Sequence, residues 1–571
     1  MLRHASARLS RPATCIARKN LERSPFVAFS ASASSRPAVP TAVVLPSKAH
    51  EFSSLDQKTN EKTSLSKEFT NTERIFATKT TPELVRAYVV YLMSQFRPLV
   101  QHSSELLDLS YKVAGATFTN ALLRATFFGH FCAGEDVNEI RTVIRKLESA
   151  GIGAILDFAA EADVEQPRDL NGVDQNLVSA RTYAYDGEAA CDANAAISRH
   201  AIIDASEAAS AGEAAFVAIK CTALGKPELL MRMSAIIVQA QLLFHTLDGP
   251  NFSRAKSRYL ERMIDYPTLS AGLYNAGVNA TEEEIQKLFK ALDHSSGDGV
   301  IDYVDWVSFL DPLDLTMGPL TQFIEEKPLT DYEKTQLSNM IRRLESLAHD
   351  AAERGVKLMV DAEQTYMQPA IDHLTLNLQR KYNRDGSDVI YNTFQCYLKM
   401  SSDRIDIDLE RARREKFRFA AKVVRGAYMV QERKRARDKG YTDPIHDTIE
   451  DTHMNYDAQV SKLLQHNHLA SFMVASHNEK SVVKTVEQMQ EIGINRATGG
   501  VYFGQLLGMC DHVSYTLGAK AYKVFKYVPY GPIREVLPYL IRRAQENSGV
   551  MSGAQLEMRM LRTEIKRRIF G

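Results

Sequence analysis

Residues 356–361 read Val-Lys-Leu-Met-Val-Asp, an apolar run closed by a carboxylate and set between two longer amphipathic stretches. A run this short and this rich in valine and leucine suits a strand covered on both faces, and the acid just past it suits the rim of a parallel sheet. Seven further runs of the same texture recur along the chain: Gly153–Asp157, Ala215–Cys221, Val389–Thr393, Phe419–Val424, Ala470–Ala475, Ala497–Tyr502 and Lys523–Tyr527. Parallel neighbours need a crossover, and helices separate these runs. Together they predict an α/β fold, a (β/α)8 barrel with the helices on its outside.

Other segments extend the barrel, which is expected over residues 151–235 and 340–555. Arg3, Arg8, Arg11, Arg18 and Lys19 lie among serine and alanine with no acid before Glu22, the composition of a mitochondrial transit peptide over residues 1–35. The Ser, Ala and Pro content that follows predicts a disordered linker over 36–80. Pro82 near a helix start, with Leu84, Tyr88 and Leu92 at helical spacing, predicts an N-terminal helical arm over 81–150.

About 135 residues separate the second and third strands, several times what one crossover helix requires, so residues 236–339 are read as an inserted helical module. Within it, 281–310 reads as helix, loop, helix in the manner of an EF-hand. The loop departs from the calcium pattern. With Asp293 as first ligand there is one residue too many before Gly299; with Gly299 at the turn position the first ligand becomes His294. Asp305 closes the loop where a longer glutamate is preferred. We therefore expect a helix pair kept for packing, with calcium at 293–305 the weaker alternative.

The 571 residues carry 70 basic and 70 acidic side chains, and this balance argues against nucleic acid as a partner. Cys15, Cys132, Cys191, Cys221, Cys396 and Cys510 are scattered, with no Cys-x-x-Cys pair and no histidine at ligand spacing. They fit a reducing compartment and supply neither a metal site nor a disulfide framework. No run approaches the roughly 18 apolar residues of a membrane span, so no transmembrane span is expected and membrane contact would be peripheral.

The rim of a (β/α)8 barrel at the carboxyl ends of its strands carries the chemistry. Lys220, Asp361, Gln395, Arg425, His477 with Asn478, and Tyr527 all stand at or just past an apolar run. After the last strand, Tyr539, Arg542, Arg543 and Glu546 fall at i, i+3, i+4 and i+7, one face of a helix. Two guanidiniums side by side suit a planar carboxylate, and Glu546 one turn on is placed to steady one of them. No Ser, Cys or His triad stands at this mouth, so covalent acyl chemistry is not expected.

Asp361-Ala-Glu-Gln, Lys422-Val-Val-Arg-Gly-Ala-Tyr428, Ala475-Ser-His-Asn478, Gly504-Gln-Leu-Leu-Gly-Met509, and Tyr527-Val-Pro-Tyr-Gly with Tyr539-Leu-Ile-Arg-Arg543 occur in that order. From about residue 150 to 550 the chain thereby resembles the mitochondrial proline dehydrogenase family. The resemblance implies a distorted barrel with FAD at its mouth and oxidation of L-proline to pyrroline-5-carboxylate, the first step of proline catabolism. It further implies ubiquinone as electron acceptor and a place on the matrix side, peripheral to the inner membrane. By motif, Lys220, Arg542 and Arg543 would bind the proline carboxylate, Tyr527 and Tyr539 would wall the ring, Glu546 would orient an arginine and Asp361 would support the cations. Gln395 and Lys422 would approach the flavin ring, while Arg425, Gly426, Tyr428, His477 and Asn478 would contact or shape the rest of the FAD site. Lys422 stands where bacterial members often show arginine, which keeps the charge and alters the hydrogen-bond geometry.

The rivals are a 4-hydroxyproline dehydrogenase on the same scaffold, another flavin barrel such as a methylenetetrahydrofolate reductase, and a calcium-responsive binding module with an idle barrel. Tyr527 bears on the first of these. A phenol at the end of the eighth strand leaves little room for a ring hydroxyl, and the resemblance implies a smaller residue there in hydroxyproline-selective members.

Overall fold

The computed structural model describes residues 65–159, 185–209, 214–247, 262–294, 296–309, 318–327, 329–548 and 552–571. The transit peptide expected over 1–35 lies outside them. Eight parallel strands close on themselves: β1 (Ile152–Phe158), β2 (Ala215–Ile219), β3 (Val356–Val360), β4 (Ile390–Gln395), β5 (Phe419–Val424), β6 (Ala470–Ala475), β7 (Val501–Leu506) and β8 (Val524–Tyr530), with β1 paired to both β2 and β8. Each strand is covered outside by helices, which explains why its sequence is apolar at nearly every position.

The two-residue period of a strand decides what enters the barrel. Ile155, Phe216, Met359, Tyr391, Ala420, Met473, Tyr502 and Phe525 turn inward as one cluster. The Phe216 ring meets those of Tyr391, Tyr502 and Phe525 edge-on at 5.6, 5.2 and 4.8 Å between centroids, which fills the interior. Counting onward in steps of two from these positions reaches Asp157, Lys220, Asp361, Gln395, Lys422, His477 and Tyr527. The alternation that packs the core thus delivers the polar set to the mouth above it.

Six strands shift at one or both ends, and two of them shift most. β7 begins at Val501 rather than Ala497, because the Asn495 side chain accepts from the Ala497 and Thr498 N–H groups at 2.8 and 3.1 Å and closes a turn. β8 continues past Tyr527 to Tyr530, its register with β1 unbroken through Phe158. The linker expected over 36–80 is helical in part: Leu65–Glu68 and Thr72–Ile75 are short helices, and Phe69, Ile75 and Phe76 are buried. A helix not foreseen, Ser552–Phe570, packs on the arm helix Thr81–Gln95. Val90, Leu123, Phe128 and Phe131 of the arm form a cluster with Ile533, Val536, Tyr539 and Leu540. The arm therefore presses on the helix that carries the two arginines.

Between β2 and β3, helices Pro227–Thr246, Tyr266–Asn275, Glu282–Leu292 and Tyr303–Phe309 surround a separate core centred on Trp306. Met263–Ile264 and Ile301–Asp302 pair as a short antiparallel ribbon. The Gly299 N–H donates to Asp293 Oδ2 at 3.2 Å, so Asp293 takes the first position and the loop carries the extra residue. The Arg414 guanidinium, from helix Ser401–Glu415 on the barrel, pairs with both Asp302 and Asp305.

Candidate active site

Asp361 follows β3 directly, its N–H donating to Ile219 O at 2.9 Å, which fixes it beside the end of β2. Its carboxylate accepts from the Lys422 ammonium on β5 and, at 2.9 Å, from the Tyr527 hydroxyl on β8. Lys422 Nζ in turn lies 5.6 Å from the centre of the Tyr527 ring. One acid thus joins three strands and holds the Tyr527 ring in place. Burial, with Asp157 and Asp361 near it, pushes the Tyr527 hydroxyl well above its usual range, so it stays a neutral donor.

On the helix Leu537–Ser548, Arg543 and Tyr539 are buried and Arg542 is partly exposed. Arg543 Nη2 donates to Glu546 Oε1 at 2.5 Å, and its guanidinium carbon lies 4.9 Å from the Tyr539 ring centre. The Tyr539 hydroxyl and Arg543 Nε are buried with no hydrogen-bond partner among the described residues. A buried donor left unmet costs roughly 1–3 kcal/mol. Two such atoms on one short helix face therefore mark a place for an acceptor from outside the chain.

The remaining positions form the other side of the mouth. Gln395, at the end of β4, donates through Nε2 to Glu363 O at 2.8 Å. Arg425 donates to His453 Nδ1 at 3.0 Å and to Ser476 and Ser481 Oγ at 2.6 Å each, over the Tyr456 ring. Its guanidinium shapes this wall by holding neighbours. Gly426 has φ 108°, and a Cβ there would run into the Tyr397 ring, so only glycine fits. Tyr428 OH donates to Glu363 Oε2 at 2.8 Å. His477 Nε2 accepts from the Leu506 N–H at 3.0 Å. Desolvation, together with the charges of Lys526 and Arg543, lowers its pKa and keeps the ring in the neutral form that this bond requires. Asn478 caps helix Glu479–Ile492, its Oδ1 accepting from Ser481 N at 3.2 Å, so a helix N-terminus opens at the rim.

These features fit a phosphate-bearing planar cofactor: a helix N-terminus, a glycine under a buried aromatic wall, and a buried Tyr397 hydroxyl with no partner among the described residues. The structure also places Asp157, Thr222 and Glu363 at this mouth, which the sequence reading did not select. Asp157 ends the first apolar run, and the two-residue period from the inward-facing Ile155 is the signal that points it to the mouth. One Cys–His–Glu cluster among the described residues, Cys510, His512 and Glu557, gathers ligand-type atoms within 4.8 Å of one another. Its members are engaged within the chain: Cys510 donates to His477 O, and Glu557 accepts from Tyr91 OH and the Asp511 N–H. Burial disfavours charge on His512, but Glu479 and Glu557 outweigh it and push the ring up to about 9, an imidazolium between two acids.

The family pattern for proline dehydrogenase matches residues 140–555. Mitochondrial proline dehydrogenase 1 of Homo sapiens is 38% identical over 544 residues, covering 88% of this chain and 90% of that protein. A hydroxyproline dehydrogenase of Xenopus laevis is 34% identical, covering 87% and 89%. The crystal structure of proline utilization A from Bdellovibrio bacteriovorus inactivated by N-propargylglycine matches with a TM-score of 0.50 at 16% identity, over 90% of this chain and 42% of that longer one.

Proposed function

The chain belongs to the proline dehydrogenase family, and from that premise we propose that it oxidises L-proline to pyrroline-5-carboxylate with FAD at the barrel mouth and a membrane quinone as acceptor. The observation that carries this reading is the pair of buried donors, Tyr539 OH and Arg543 Nε, unmet among the described residues, on the helix that follows the strand whose Tyr527 is tied to Asp361 and, through it, to Lys422. In this reading Lys220, Arg542 and Arg543 fix the substrate carboxylate, with Glu546 holding Arg543 in position. Tyr527 and Tyr539 wall the pyrrolidine ring. Asp361 keeps Tyr527 and Lys422 from drifting, which preserves the reacting geometry. Gln395, Lys422, Arg425, Gly426, Tyr428, His477 and Asn478 would hold FAD, which when bound supplies the acceptor for a hydride from the ring carbon next to nitrogen.

Relatives named mitochondrial support a mitochondrial setting, and in this reading the protein works on the matrix side. No helix of the described residues is long and apolar enough to cross a membrane, and in this reading contact with the inner membrane is peripheral. A relative named hydroxyproline dehydrogenase keeps the second substrate in play, and Tyr527, locked by Asp361 beside the ring site, favours proline. The test is product identity. With a soluble quinone, the FAD-loaded protein should convert L-proline into a cyclic imine trapped by o-aminobenzaldehyde. If no imine forms from proline while hydroxyproline is consumed, the substrate assignment is wrong.

A further inference from the structure

Glu363 is fully buried at the mouth, two residues past Asp361, yet none of the roles above requires it. Its Oε2 accepts from Tyr428 OH at 2.8 Å and its Oε1 from Thr222 Oγ1 at 3.1 Å. Its N–H donates to Gln368 Oε1 at 2.8 Å, and its carbonyl accepts from Gln395 at 2.8 Å. One residue therefore stitches together the rim segments that follow β2, β3 and β5 and the end of β4. Lys220 opens the short turn Cys221–Ala223 that contains Thr222, so whatever fixes Thr222 also fixes the base of Lys220. The charged and titratable groups that face Glu363 are Lys220 and Cys221 after β2, Asp361 and Tyr366 on its own segment, and Tyr428 after β5.

We infer that Glu363 is a positioning residue that holds Lys220 and Tyr428 in place and, when ionised, competes with the substrate carboxylate for the Lys220 charge. The inference rests on the reading that a ring carboxylate binds at Lys220 and the two arginines. Burial raises the Glu363 carboxyl from its ordinary value to about 7, against the opposing pull of Tyr428, Lys220 and Thr222. Below that point the carboxyl is neutral; above it the carboxylate's charge acts on Lys220 in opposition to the substrate's. Affinity for a ring carboxylate should therefore fall as pH rises through about 7.

The experiment uses tetrahydrofuran-2-carboxylate, which keeps the ring and carboxylate of proline without a titrating amine. Its binding is followed by the absorbance of bound flavin in the FAD-loaded protein. From about pH 6 to about pH 8.5 the unmodified protein should weaken by about tenfold, the size of coupling that linked groups commonly show. Glu363→Gln should bind as the unmodified protein does at low pH and show no such slope. An identical slope in both proteins would overturn the inference. Absence of binding to the unmodified protein at every pH would instead sink the carboxylate reading beneath it. Should Glu363→Gln fail to hold FAD, Thr222→Val removes one hydroxyl that stabilises the ionised form and should move the midpoint upward. A midpoint that stays in place overturns the inference equally.

Discussion

The barrel mouth and the loop at 293–305 both gather charged side chains at the ends of regular elements, but they differ in whether the chain completes its own hydrogen bonds. In the loop, Ser296 donates within reach of Asp293, Asp298 and Asp305, and Arg414 from the barrel neutralises Asp302 and Asp305. The Asp305 side chain is only 1% exposed, so the charge that meets it comes from inside the protein. At the mouth, Asp361, Lys422 and Tyr527 satisfy one another, while Tyr539 OH and Arg543 Nε find no partner among the described residues. A polar cluster that closes on itself is a joint, while buried donors left unmet at the rim of a barrel are available to a guest.

The strongest way to break this comparison is to remove the two guanidiniums of the arginine helix. Arg543→Met, and in parallel Arg542→Met, should weaken proline binding by roughly 2–5 kcal/mol while FAD stays bound, because a desolvated carboxylate loses its partner. Steady-state kinetics and flavin content measure both, and an unchanged apparent affinity in both variants would contradict the site. Next in size, Arg414→Leu leaves two enclosed carboxylates without their cation and should cost about 3 kcal/mol in urea unfolding. If calcium restored that variant, the loop would be a metal site held shut by an arginine.

Smaller still is Tyr527→Ser. It opens space beside the ring, lowers the specificity constant for proline and narrows its lead over hydroxyproline, within the roughly 10–200-fold that a steric wall supplies. Equal turnover of both substrates by the unmodified enzyme would remove the steric role given to Tyr527. The smallest expected effect is none: about 1 mM calcium, well above the needs of intracellular sensor sites, should leave melting temperature and turnover unchanged. A micromolar calcium affinity by calorimetry would refute it.

Much of the barrel was legible because a buried parallel strand writes itself as a short apolar run; β5 and β6 fall where the sequence placed them, residue for residue. The arginine helix was legible because its four polar residues share one face within a few turns. Glu363 was not, since its partners Thr222 and Tyr428 lie 141 and 65 residues away and no periodicity ties them together. Arg414 was hidden for the same reason. It sits in Arg411-Ala-Arg-Arg-Glu415, which reads as a solvated helix face, yet its acids lie 112 and 109 residues earlier. Local pattern reports which way a side chain points, and only the closed fold reports what it meets.

The most direct test of the central claim is an anaerobic titration of the FAD-loaded protein with L-proline, followed by calcium in the same cuvette. The account predicts that proline bleaches the visible flavin absorbance to a plateau and that calcium then changes nothing. Flavin that stays oxidised at saturating proline, or bleaching that appears only with calcium, would contradict it.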